Sequence, residues 1–89
     1  MKDIIDNAIY DALDIIYINA LNSNSFIFSE WMKYFNINRT KNKYYQKYNI
    51  YYLSDDFKYN MKLYNMSSEQ LLYTQIHSFI LKEFSNYIF

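Results

Sequence analysis

Few residues in this chain are able to do bond-making chemistry. His77 is the only histidine and cysteine is absent, so a zinc site would have to be completed by carboxylates alone. With Tyr73, Phe84 and Ile88 on the same helical arc, His77 is expected as a packed, hydrogen-bonded ring. Asp55-Asp56 is a carboxylate pair, but neighbours on a turn point apart and no acid–base partner accompanies them. Without glycine there is no phosphate-cradling loop. A serine triad has no free histidine around which to form. The expectation is a protein that is not an enzyme and that holds no metal or cofactor.

The remaining chemistry is recognition. From Arg39 to Lys47 the run Arg-Thr-Lys-Asn-Lys-Tyr-Tyr-Gln-Lys is the most basic segment, and its side chains suit phosphates and base edges. Residues 1–32 hold one basic side chain against five acidic ones, whereas residues 33–62 hold seven basic against two acidic. Such asymmetry creates a local field although the total charge is zero. It also fits an acidic helix lying against a basic segment of the same chain. On the first reading the chain is a small DNA-binding, regulator-like protein. Arg39, Lys41, Asn42, Lys43, Gln46 and Lys47 meet duplex DNA, and Lys58 and Lys62 meet phosphates. On the second it is a protein-interaction module, such as a mobile-element inhibitor of a host nucleic-acid-processing complex. That module docks through Tyr44, Tyr45, Tyr51 and Tyr64.

These residues need elements to position them. Residues 3–21 place Ile4, Ile5, Ala8, Ile9, Ala12, Leu13, Ile15, Ile16 and Ala20 on one half of a helical wheel, and the aspartates with Tyr10 and Tyr17 on the other. Asn22 to Ser25 reads as a connector, and Phe26-Ile27-Phe28 as a minimal strand. Ser29 to Phe35 suits a short helix capped by Ser29. Asn36 ends it, asparagine being the side chain that best tolerates a left-handed backbone where glycine is missing.

Two readings are open for the next stretch: a second short helix over Arg39–Lys47, or one long strand over Lys43–Leu53. Beyond it, Tyr48, Ile50 and Tyr52 alternate with polar neighbours, as do Phe57, Tyr59, Met61 and Leu63, which predicts a β-hairpin turning at Ser54-Asp55-Asp56. Met66 to Phe89 is a closing helix, announced by Ser67 and Gln70 as a capping box. Its apolar arc is wider than one small core requires. The surplus predicts a homodimer through Tyr73, His77, Leu81, Phe84 and Ile88.

In element order, with Trp31, Phe35, Ile37 and Tyr45 at buried positions and Asn36 at the turn, the chain resembles a winged helix-turn-helix domain. Met32 and Asn42 depart from that pattern, standing where a small and an aliphatic residue are usual. The resemblance implies an α+β fold with long N- and C-terminal helices, a β-hairpin wing, and DNA binding by the second helix.

At 89 residues the chain is expected to be a single domain, 1–89, with a modest core and no disulfide. No run approaches the roughly 20 apolar residues that span a bilayer, and aspartates interrupt the N-terminal segment. No membrane partner and a cytoplasmic location are therefore expected. Ile, Asn, Lys, Tyr and Phe make up more than half of the sequence. Their AT-rich codons point to a virus, a mobile element or a low-GC bacterium.

Overall fold

The computed structural model describes residues 1–23, 30 and 32–88, with the backbone alone at Ser23 and 85–88. Four helices are described: α1 (Lys2–Ser23), α2 (Ile37–Tyr51), α3 (Asp55–Tyr64) and α4 (Ser68–Ile88). A helical turn at 32–34 precedes α2. Among the described residues there is no strand.

The two long helices form as their sequences direct. Ile5, Ala8, Ile9, Ala12, Ile16 and Ala20 make the buried stripe of α1, and Leu71, Leu72, Ile76, Ile80 and Phe84 make that of α4. The two stripes face each other in the most extensive helix pair of the fold. Ile15 alone of the expected α1 face lies open to solvent. The α4 start is a reciprocal capping box. The Gln70 backbone N–H donates to Ser67 Oγ at 3.2 Å, and the Ser67 N–H donates to Gln70 Oε1 at 3.0 Å, so two otherwise orphaned helix donors are satisfied.

The α+β, winged-helix expectation is overturned between Lys47 and Tyr64, where the predicted hairpin is helical. Tyr44, Tyr48, Tyr51 and Tyr52 also follow the helical period, and the inward stripe they form turns toward the core. Burying that many rings outweighs the alternation that suggested strands. The supposed turn is instead a helix start. Ser54 adopts an extended backbone, accepts the Phe57 N–H at 3.1 Å, and is followed by Asp55 and Asp56 in the positive first turn. Phe57, 1% exposed, plugs α3 into the core, with the Tyr51 and Tyr52 rings 5.4 and 5.3 Å away. The minimal strand expected at Phe26-Ile27-Phe28 and the cap expected at Ser29 lie outside the described residues.

Asparagine supplies the punctuation, at different places from those expected. Asn36 is not left-handed; it is an extended N-cap (φ −118°, ψ 103°) whose Oδ1 accepts the Arg39 N–H at 3.1 Å. Among the described residues the left-handed one is Asn65 (φ 52°, ψ 49°). There the Asn65 N–H reaches Lys62 O and the Met66 N–H reaches Met61 O, the pair of bonds of a Schellman ending. Asn65→Val should cost about 1–2 kcal/mol, because a Cβ-branched residue resists this backbone, while Asn65→Gly should be neutral or stabilising. Ser67→Ala should cost about 1 kcal/mol through loss of the cap. Urea denaturation midpoints of the three variants against the parent measure these effects.

Candidate nucleic-acid interface

α2 has two chemically different sides. Its inner side is aromatic: Tyr44 and Tyr48 are 4% and 0% exposed. The Tyr48 hydroxyl donates to Gln75 Oε1 of α4 at 3.2 Å. Tyr45 donates to Asp6 Oδ1 of α1, and Tyr51 accepts from Asn60 Nδ2 of α3 at 3.0 Å. One tyrosine-rich stripe thus ties α2 to α1, α3 and α4.

Its outer side is polar and holds no carboxylate. Asn38, Arg39, Asn42, Lys43 and Gln46 are exposed there and, with Asn36, line one open depression of about 550 Å³. At about 100° per residue, Arg39 and Lys43 form one edge of the face, Asn38 and Asn42 form the other, and Gln46 lies between them. From Asn38 to Gln46 the face extends about 12 Å along the helix. Glu83 of α4 lines an adjacent depression with Arg39 and Thr40, so a carboxylate stands beside the Arg39 end of the face.

The structure brings only part of the predicted nucleic-acid set together. Arg39, Asn42, Lys43 and Gln46 share the outer face, which Asn36 and Asn38 extend. Asn38 was missed, although it stands one helical turn before Asn42; that spacing was its signal. Lys41 turns instead toward α1, with its Nζ 4.6 Å from the Tyr10 ring centroid, and its bond to Tyr10 raises its pKa above the ordinary lysine value. Lys47 lies 4.4 Å over the Phe79 ring of α4. Lys58 and Lys62 are on α3, beside a separate shallow depression with Met61, Asn65 and Met66.

Of the tyrosines expected to meet a partner, Tyr44 is in the core, Tyr45 is bonded to Asp6, and Tyr51 is packed on Phe57. Tyr64 alone of that set is well exposed. The α4 residues expected at a dimer interface are largely engaged within the chain. Phe84 is buried, Leu81 packs against the core, and Tyr73 stacks on His77 at 5.5 Å while donating to Asp11 at 2.5 Å. The Ile88 side chain lies outside the described residues.

Among the described residues, no group of three histidines or carboxylates could hold a metal ion. No helix there is long and apolar enough to cross a membrane. Comparison with family models, curated proteins and solved structures finds no match.

The buried tyrosines give the fold a pH signature. Burial raises the phenol pKa of Tyr44 and Tyr48 above its usual value, and acceptance by Asp6 and Asp11 does the same for Tyr45 and Tyr73. Each folded-state value exceeds the unfolded one, so the stabilisation is complete below about pH 10 and is lost as pH rises through the folded-state values. Urea midpoints should therefore fall above about pH 10. Tyr48→Phe keeps the ring and removes the titrating group, so its midpoint should fall less steeply over the same range.

Proposed function

We propose that the protein binds duplex DNA through the outer face of α2, with Arg39 and Lys43 meeting phosphates or guanines and Asn38, Asn42 and Gln46 meeting base edges. The observation that supports this reading is the grouping of these five side chains on one exposed, carboxylate-free helix face. An α-helix fits the major groove, arginine pairs well with guanine, and the amides of Asn and Gln match adenine. Lysine or arginine contacts to phosphate supply affinity without reading sequence.

The modest charge sets the expected strength. Two or three phosphate contacts give a log–log salt slope of about −2 to −3, so affinity should fall about 7- to 20-fold between 50 and 150 mM salt. Arg39→Ala and Lys43→Ala should weaken binding, and each flattens that slope by about one unit wherever its contact is to phosphate. Asn42→Ala and Gln46→Ala should change preference among sequences by about 1–3 kcal/mol per good base contact. Fluorescence anisotropy with labelled duplexes measures all of this, and an absence of binding at micromolar protein in low salt would sink the proposal.

A protein-docking reading is favoured by a different observation: Tyr34, Ile50, Leu53, Tyr59 and Leu63 are each more than half exposed. It would be selected by a nuclease-resistant, stoichiometric complex with a host protein alongside failure to bind duplexes. Tyr44 and Tyr51 are unsuitable probes of docking, since replacing either disturbs the core.

A further inference from the structure

α3 carries an exposed apolar pair on the side turned away from the core. It seats on the core through Phe57, with Met61 one turn later partly buried behind it. On the opposite side Tyr59 and Leu63, also one turn apart, are 64% and 57% exposed. Asp55 and Lys62 are exposed as well. Seven residues are almost two full turns, so these two charges stand on one edge of the outer face, with Tyr59 between them along the axis.

We propose that this face is a homodimer interface, in which a second copy packs its own α3 antiparallel across Tyr59. The charge order selects the occupant. Asp55 lies four residues before Tyr59 and Lys62 three after it. A two-fold pair crossing at Tyr59 therefore sets Asp55 of each copy level with Lys62 of the other, on the same flank. This ion pair forms twice by symmetry, with the Tyr59 rings and Leu63 side chains along the seam. A parallel two-fold pair would carry the Asp55–Lys62 edges of the two copies on opposite flanks, bringing Asp55 of one beside Asp56 of the other and leaving Lys62 unpaired. Lys58 points further round the helix and remains in water. A helix of this length buries little area, so the dimer is a weak one, formed in the micromolar range or above.

Sedimentation equilibrium of the full chain from micromolar to submillimolar concentration tests the proposal, with circular dichroism confirming that each variant stays helical. The wild type should dimerise, and Leu63→Glu, at an exposed site, should give a folded monomer. Asp55→Lys and Lys62→Asp should each raise the dissociation constant about tenfold, because each turns two attractions into repulsions. The double exchange of both charges should restore it to within about threefold. A wild type that stays monomeric overturns the interface, as does a dimer indifferent to Leu63→Glu. Failure of the double exchange to restore association overturns the antiparallel arrangement. None of these outcomes depends on nucleic-acid binding, which is read separately with labelled duplexes.

Discussion

The packing of α1 on α4 is the contact on which the rest of the molecule depends. The chain has no disulfide, and among the described residues no three-ligand metal group, so apolar burial between its two longest helices must supply most of the cohesion. Three of the six buried α1 residues, Ala8, Ala12 and Ala20, are small. Small side chains let helix axes approach closely and let the larger Leu72, Ile76 and Ile80 fill the space between them. α2 and α3 are then laid over this pair. Neither would hold as a helix in isolation, since helices of 10 to 15 residues are marginal in water without a packed face.

Tyrosine is what attaches them, because a large ring can be buried while its hydroxyl finds a partner at the core's edge. Tyr45 reaches Asp6, Tyr48 reaches Gln75, Tyr52 reaches Ser68 and Tyr51 meets Asn60 of α3, while Tyr73 of α4 reaches Asp11 of α1 within the central pair. These bonds also explain part of the charge asymmetry. Two of the four α1 aspartates accept hydroxyls from α2 and α4, and Lys41 lies over Tyr10 of α1. The acidic helix and the basic helix are therefore partly complementary to each other. What is left facing water is the Arg39–Gln46 face, with a smaller charge than the bare sequence tally suggests.

The two ends of the fold were legible in the sequence because more than one signal agreed there. The Ser67–Gln70 capping box and the long apolar period define α4, and nine apolar residues on one half-wheel define α1. Between Lys47 and Tyr64 the signals conflicted. Tyr44, Tyr48 and Tyr52, each four residues apart, fit a period of two and a period near 3.6 alike, so spacing alone did not decide. The arbiter was the connector. A tight hairpin usually needs residues at positive φ, and the chain offers no glycine, whereas Ser54 followed by two aspartates is a helix N-terminus. The candidate interface was legible in part for the same reason. Basic and amide residues were visible as a cluster, but which of them point outward follows from the helical phase, and Lys41, Lys47 and Tyr44 lie out of phase with Arg39 and Asn42.

The division of α2 into an aromatic inner side and a polar outer side has a consequence for how the protein can change. The inner tyrosines are coupled to α1, α3 and α4, so substitutions there act together through shared contacts. The outer residues Asn38, Arg39, Asn42, Lys43 and Gln46 are exposed, and exposed substitutions away from such contacts usually alter stability by no more than about 0.5 kcal/mol. The outer face is therefore free to vary in what it recognises while the same core holds it in place. The abundance of tyrosine and asparagine, which codon bias alone could place in the sequence, is divided by the fold into two roles. Tyrosine serves cohesion, and asparagine caps α2, closes α3 and furnishes one edge of the open face.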